Sequence, residues 1–402
     1  MSGRGELVTN QSPFEGISRA LGGVFGVETA GPGEIAVRDD LDKLVCRISV
    51  LSVLGGSWWL TLMPLRGYEQ DADRIRRLLI DDGYTTEDDW KSPQVPMKPR
   101  ERADVVAARV LRRLLQVQDA NLPGTLADAD PEFLHDYRVA IRRARSVLRE
   151  FKRVFNPDDL EQVRSEFKWL QEQTSATRDL DVYLQDFQQL RARAPEAMRD
   201  DLDPLLSLLR ARRRTARAAM EKALTGERAR ALHVEWVQIL EVLVLESEQD
   251  RPDAARAIAE VTAVRVRKVH RKMLKMGRAI TPASPPEDYH ELRKKGKELR
   301  YLLELFAAPL FDPDVVKPLI KTLKGLQDVL GLHQDREVQI EMLRELAQEV
   351  ASQRRGPGTL MAIGALIERL EADAADARGH FAASFAEFAS EAQCKLIADE
   401  FR

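Results

Sequence analysis

The same pattern of basic residues occurs twice in this 402-residue chain, once in residues 135–151 and again in residues 290–306. Both segments follow H-x-x-R-x-x-x-[RK]-x-x-R, and neither contains a proline. At about 100° per residue of α-helix, the patterned residues of one segment fall within an arc of roughly 80°. Each segment is therefore predicted to be a helix with a basic stripe along one face.

The two stripes differ at one end. The first basic stripe is His135, Arg138, Arg142, Arg145 and Arg149, and the second is His290, Arg293, Lys297 and Arg300, with Glu304 at the position of Arg149. Arg143 lies about 80° beyond His135 on the other side of the arc. Between Asp136 and Glu150 the first segment has no acidic residue, so its like charges repel one another unless a polyanion binds.

The repeat continues on both sides of the stripes. Asp130-Pro131 precedes the first and Ser284-Pro285-Pro286 the second, which predicts a capping side chain and a proline at each helix start. Downstream, Lys168-x-x-Gln171 matches Lys324-x-x-Gln327. Upstream, the basic residues Arg109, Arg112 and Arg113 match a denser run that includes Arg265, Arg267, Lys268, Arg271, Lys272 and Lys275. Two bundles of about four helices are predicted, packed about a pseudo-twofold axis that brings the stripes together.

Prolines at positions 93, 96 and 99 mark residues 92–100 as a linker. Residues 1–91 are predicted to form a small mixed region, with two strands joined at Gly55-Gly56 and a helix over residues 69–80. Residues 101–228 and 229–402 are predicted to be the first and second helical bundles, with breaks that include Pro123-Gly124 and Gly331. The fold class is therefore mainly α, preceded by a small α/β region.

The composition and charge of the chain limit the classes of function that it can have. The net charge is only −3, so anion binding depends on segregated charge. No apolar run approaches the roughly 20 residues that span a bilayer, and no signal-peptide pattern begins the chain, so a cytoplasmic protein is expected. Cys46 and Cys394 are far apart and indicate neither a disulfide framework nor a metal site.

With these motifs, residues 100 to 395 resemble the CHAD domain family, which is named for conserved histidines and an α-helical make-up. The resemblance implies two pseudosymmetric four-helix bundles and a basic surface between them that binds inorganic polyphosphate. It carries this role onto both stripes, and onto Lys168 and Lys324 from the next helix of each copy. Arg112, Arg267 and Arg271, from the helix before each stripe, complete the predicted binding set.

The N-terminal region is similar, more weakly, to the end of a CYTH (triphosphate tunnel) domain, through Leu62-Met-Pro-Leu-Arg-Gly-Tyr-Glu. Such a tunnel needs an E-x-E-x-K strand, and Glu34-Ile-Ala-Val-Arg38 lacks both the second glutamate and the lysine. Fewer than a hundred residues also cannot close an eight-strand tunnel. The region is therefore predicted to be a non-catalytic remnant or docking module.

Arginine binds phosphate oxygens through paired hydrogen bonds and stays charged, which suits a linear polyanion. The expected function is non-enzymatic polyphosphate binding without metal or cofactor, with targeting to polyphosphate granules or their proteins as one use. Two alternatives are a metal-dependent triphosphate or polyphosphate hydrolase, based on His135-Asp136, and a nucleic-acid-binding module. The first lacks further ligands around His135, and the second lacks aromatics on the stripes beyond Tyr137 and Tyr301 nearby. Asp179, Asp181, Asp335 and Glu337 are predicted to cap helices or to orient stripe arginines.

Overall fold

A computed structural model describes residues 5–9, 13–31, 34–53, 57–65, 67–86, 93–247, 249–351 and 356–402. The chain forms two compact units, one from residues 1–93 and 113–141 and the other from residues 94–112 and 142–402. The predicted turn at Gly55-Gly56 and the first linker residue, Ser92, lie outside the described residues. Residues 93–98 of the predicted linker are neither helix nor strand.

The N-terminal region is a small α/β structure, as predicted. Its elements are β1 Gly5–Thr9, α1 Pro13–Leu21, β2 Gly26–Gly31, β3 Glu34–Arg38, β4 Leu44–Val53, β5 Ser57–Pro64, α2 Glu69–Asp81 and β6 Thr85–Thr86. The described strands form one antiparallel sheet in the order β2-β3-β4-β5-β1-β6. The two predicted strands are confirmed as β4 and β5, and the predicted helix as α2.

Apolar residues at helical spacing fix the two N-terminal helices against this sheet. Ile17 and Leu21 of α1 and Ile75 and Leu79 of α2 are fully buried in one cluster with strand residues such as Ile48. Burial of each such side chain contributes about 1.5–3 kcal/mol. The side chain of Cys46 is buried in the same cluster, where it packs as a small apolar residue.

The described residues from Ala103 onward are mainly helical, which confirms the predicted fold class. Its main helices are α3 Ala103–Ala127, α4 Pro131–Glu150, α5 Pro157–Gln173, α6 Ser175–Arg193, α7 Asp203–Leu224, α8 Glu227–Val242, α9 Ile258–Ala279, α10 Pro286–Leu302, α11 Pro313–Val350, α12 Gly356–Phe388 and α13 Glu391–Glu400. A π-helical stretch, Leu303–Ala307, and a further turn, Ala308–Leu310, continue α10. The first stripe lies on α4 and the second on α10.

Equivalent caps start equivalent helices in the two copies. The side chain of Asn156 accepts a hydrogen bond from the Asp158 amide before α5, and that of Asp312 accepts one from the Asp314 amide before α11. The predicted cap at Ser284 is wrong. Pro285 occupies the N-cap of α10, and the Ser284 hydroxyl accepts instead from the Thr281 amide, 3.0 Å away.

Two predicted helix breaks are also wrong. Helix α11 continues through Gly331, where the first copy has the junction at Thr174 between α5 and α6. Helix α3 continues through Pro123 and Gly124. A Cβ on Gly124 would lie 2.4 Å from the Phe133 ring, so this glycine permits close packing rather than a turn. Glycine and proline lower the stability of a helix interior by about 1–3 kcal/mol relative to alanine, and both helices continue in spite of this cost.

Helices of both copies share one apolar core. Leu180 and Phe187 of α6 pack in a single cluster with Leu209 of α7, Leu343 of α11 and Leu366 of α12. The core holds these helices at fixed positions, as a rigid site requires. No helix in the described part of the chain is long and apolar enough to cross a membrane.

Candidate functional site

A basic cavity of about 530 Å³ lies in the larger compact unit, where helices α4, α5 and α10 meet. We call it the first cavity. Helix α4 contributes Arg142, Arg145 and Arg149, spaced i, i+3 and i+7, which is the spacing of one helix face. The remaining lining residues are Glu161, Arg164, Ser165, Lys168 and Gln171 from α5, and Lys294, Lys297, Glu298 and Tyr301 from α10. Residues of both stripes thus line one cavity.

Positive charge dominates this cavity, because seven basic and two acidic side chains line it. One of the two acids, Glu298, is almost fully buried and forms ion pairs with Lys295 and Arg149. The Nη2 of Arg149 lies 3.1 Å from the Oε1 of Glu298. On the other side of Arg149, buried Glu150 lies 3.4 Å from its Nε. Arg149 is therefore held between two carboxylates at one end of the cavity.

Equivalent residues of the two copies make equivalent side-chain hydrogen bonds. Arg145 donates to the amide oxygen of Gln171 at 2.5 Å, and its counterpart Arg300 donates to that of Gln327 at 3.0 Å. Each glutamine belongs to the Lys-x-x-Gln motif of its own copy. The Nε of Arg142 is buried and makes no hydrogen bond within the part of the chain that the structure describes. Arg142 and Arg145 both line the first cavity, so their guanidinium groups supply positive charge to an anion bound there.

Burial and nearby like charges change the pKa of Lys297 in the second stripe and of Arg145 in the first. Burial and the nearby charges of Arg293, Arg142 and Arg300 lower the pKa of Lys297 from 10.5 to about 7, and Asp335 opposes this shift. Burial also lowers the pKa of Arg145, with a further contribution from Arg149. An anion in the first cavity would offset both effects.

Other stripe residues are bound within the protein and do not line the first cavity. The Nδ1 of His290 lies 2.7 Å from the Gln334 amide oxygen, and the Nη2 of Arg293 lies 3.4 Å from Asp335. Asp335 therefore orients a stripe arginine, one of its two predicted roles. Of the paired lysines, Lys168 lines the cavity, whereas Lys324 is exposed outside it.

The residues predicted from neighbouring helices also lie apart. Arg112 donates to the Leu240 carbonyl, and Arg267 and Arg271 of α9 are not among the lining residues of the first cavity. His135 and Arg138 belong to the smaller compact unit, and the side chain of Arg138 is buried. The structure thus brings together Arg142, Arg145, Arg149, Lys168 and Lys297 from the predicted set.

Sequence reasoning did not identify two basic lining residues and one aromatic lining residue. Arg164 lies four residues before Lys168 and Lys294 lies three residues before Lys297, and these spacings of about one helical turn could have revealed both. Tyr301 was placed off the stripe but lies in the cavity wall, buried, with the guanidinium groups of Arg143 and Arg300 within 5.9 Å and 5.6 Å of its ring centre. Arg143 also lies 3.7 Å from Glu304.

Histidines and acids do not converge into a metal centre in the described residues, which contain no group of three or more potential His, Cys, Asp or Glu ligands. Burial, assisted by Arg278, lowers the pKa of His270 to about 4. Burial, assisted by Arg378, also lowers the pKa of His333. Both imidazoles are therefore neutral near pH 7 and pack against Phe388 and Tyr289, respectively.

Comparison with known proteins gives one consistent result. The family model of the CHAD domain matches residues 109–344, more than half of the chain. The uncharacterised proteins Rv2226 and MT2285, from two strains of Mycobacterium tuberculosis, are each 28% identical over 293 residues, which is 71% of this chain and 52% of theirs. The chain thus spans about half the length of these curated relatives.

Two solved structures share the fold. The crystal structure of the CHAD domain from the plant Ricinus communis is similar with a TM-score of 0.62 and 24% identity, over 73% of this chain and 96% of that one. PptA from Streptomyces chartreusis is similar with a TM-score of 0.53 and 19% identity, over 71% of this chain and 99% of that one.

Proposed function

Because the chain belongs to the CHAD domain family, whose members are linked to polyphosphate binding, we propose that its first cavity binds inorganic polyphosphate without turning it over. The observation that carries this proposal is the convergence of Arg142, Arg145 and Lys297, from both copies of the repeat, on one cavity. Along α4, the distance from Arg142 to Arg149 is about 10 Å at 1.5 Å per residue. A linear anion with several phosphates matches this spacing better than a single phosphate group.

Affinity should therefore rise with chain length and fall with salt. By analogy with single-stranded nucleic acids, each phosphate contact contributes about −0.7 to the slope of log affinity against log salt. Five contacts would weaken binding about a hundredfold for a fourfold rise in salt. Calorimetry with long-chain polyphosphate, triphosphate, ATP and single-stranded RNA at two salt concentrations tests this. Equal affinity for triphosphate and the long chain would contradict the proposal and favour a compact pocket.

Binding should also depend on pH through Lys297. In the free site its pKa is about 7, and a bound polyanion would raise it, so binding takes up a proton above that pH. Affinity is expected to fall as pH rises from 7 to 9, by at most about tenfold per unit from this one group. Titration over this range should show the slope in the natural protein. The Lys297→Arg variant keeps its charge, so its slope should be smaller, and an unchanged slope would show that another group titrates.

Catalysis is not part of the proposal. Of the carboxylates near the first cavity, Glu150 and Glu298 form ion pairs with Arg149, Arg265 and Lys295, and the described residues contain no group of three or more potential metal ligands. We expect the full chain to release no phosphate from polyphosphate, triphosphate or ATP above background with Mg²⁺ or Mn²⁺. Metal-dependent turnover that is lost on mutation of His135 or Asp136 would support the hydrolase alternative.

The N-terminal region is proposed to be a degenerate CYTH-like remnant with a docking role. Strand β3 lies in the sheet but lacks the paired glutamates and lysine of a triphosphate tunnel. Among the described strands, the terminal strands β2 and β6 each have one neighbour, so the sheet is open rather than a tunnel. The triphosphate assay above tests the absence of catalysis in this region.

Localisation follows from the same proposal. Polyphosphate binding would bring this protein to polyphosphate granules in the cytoplasm, and a fluorescent fusion should coincide with granules and disperse when Arg142 is replaced by Glu. A nucleic-acid role has less support because Tyr137 and Tyr301, the aromatics considered for base stacking, are both buried and offer little ring surface for it.

A further inference from the structure

A second basic cavity, of about 250 Å³, adjoins the first within the larger compact unit. We call it the second cavity. Helix α9 contributes Arg265, Lys268 and Lys272, spaced i, i+3 and i+7, so that one helix face lines the wall. Lys152 and Lys295 add two further ammonium groups. The only acid in its lining is Glu150, a count that covers the described residues.

Arg149 and Arg164 connect the two cavities, because both residues line both of them. Glu150 binds Arg265 at 2.5 Å on the side of the second cavity, and it lies 3.4 Å from Arg149. Glu298 binds Arg149 on the side of the first cavity. These buried carboxylates hold the guanidinium group of Arg149 at the junction and that of Arg265 in the second cavity, so both are prearranged as phosphate donors.

The basic residues with which α9 lines the second cavity are not repeated in the equivalent helix of the first copy. Helices α3 and α9 are equivalent and begin at residues 103 and 258, an offset of 155. Position by position, Arg265 then corresponds to Val110 and Lys272 to Val117, both buried apolar residues. Only Lys268 has a basic counterpart, Arg113. The basic wall is therefore a property of the second copy of the repeat.

We infer that the second cavity is a further phosphate subsite, which the same linear polyphosphate chain reaches past Arg149 and Arg164. This inference rests on the proposed function. It predicts that the binding path is longer than the first cavity and extends from α4 and α10 to α9. Lysine suits this outer part of the path because its flexible side chain can donate hydrogen bonds to phosphates at varied positions.

The test is a double variant of the full chain, Lys268→Glu with Lys272→Glu, in binding assays with long-chain polyphosphate and with triphosphate. Long-chain affinity should fall at least tenfold, and the salt slope should become shallower by about 1.4 for two lost contacts. Triphosphate affinity should stay the same, because three linked phosphates fit within the first cavity. Far-ultraviolet circular dichroism checks that the helices remain folded.

The matched control is Arg267→Glu with Arg271→Glu, which makes the same charge change on α9 at residues outside both cavities. The control should retain most of the affinity. If both double variants lost the same affinity for long-chain polyphosphate, binding would depend on the general basicity of α9 and the inference would be overturned. An unchanged affinity in the Lys268/Lys272 variant would also overturn it. If Arg142→Glu abolishes binding while that variant binds normally, the proposed function stands and only the subsite is wrong. If the natural protein binds no polyphosphate, both are wrong.

Discussion

Charge reversal at Arg142 or at Lys297 is expected to weaken long-chain polyphosphate binding about a hundredfold. Both side chains line the first cavity, one from each stripe helix. A charge-assisted hydrogen bond contributes about 1.5–3 kcal/mol, and about 1.4 kcal/mol corresponds to a tenfold change in affinity. A carboxylate in the cavity adds repulsion to that loss. Calorimetry at two salt concentrations should also show a shallower salt slope for each variant.

The control for this pair is Lys317→Glu, because Lys317 is an exposed residue of α11 that lines neither cavity. Arg143, which the helical arc suggested as a control, is unsuitable because it lies near Glu304 and over the Tyr301 ring in the cavity wall. If Arg142→Glu abolished binding while Lys297→Glu had no effect, binding would depend on the first copy alone, and a site shared by both copies would be excluded.

Replacing Arg251 by Ala is expected to lower the free energy of unfolding by about 3–5 kcal/mol. This arginine is almost fully buried, and its guanidinium donates to the carbonyls of Leu243, Glu246, Ser247 and Val154. Its Nη2 also lies 3.8 Å from fully buried Asp104. Truncation would leave these acceptors without a donor, at a cost that exceeds the loss of an ordinary hydrogen bond. Urea unfolding followed by circular dichroism measures the change.

Arg256→Ala serves as the comparison, since Arg256 pairs with Asp253 and Glu260 but is 42% exposed. Exposed ion pairs contribute about 0–1 kcal/mol, so its unfolding midpoint should move little. Arg251→Lys should also destabilise the protein, because one ammonium group cannot match the positions of the guanidinium donors. Similar midpoints for Arg251→Ala and Arg256→Ala would show that the buried hydrogen bonds contribute no more than a surface pair.

Local chemistry explains why much of the fold could be predicted. Asn156-Pro157 and Asp312-Pro313 carry both the capping side chain and the proline that start a helix, and α5 and α11 begin there. The repeated spacing of basic residues placed both stripes on helices, α4 and α10. At Gly331 and Pro123 the local signal failed, because a single residue of low helix propensity does not by itself end a long helix.

The sequence by itself determined that two equivalent helices carry basic faces, since a 3.6-residue period follows from spacing alone. Only the tertiary structure decided which basic residues share a cavity. Helix α9 has basic residues around much of its circumference, and packing turned Lys268 and Lys272 rather than Arg267 and Arg271 toward the second cavity. Partners distant in sequence likewise engaged Arg293 through Asp335 and Arg300 through Gln327, while Arg142 and Lys297 came to line the first cavity. Helical periodicity fixes the relative positions of residues on one helix, whereas the direction of each face depends on how the helices pack.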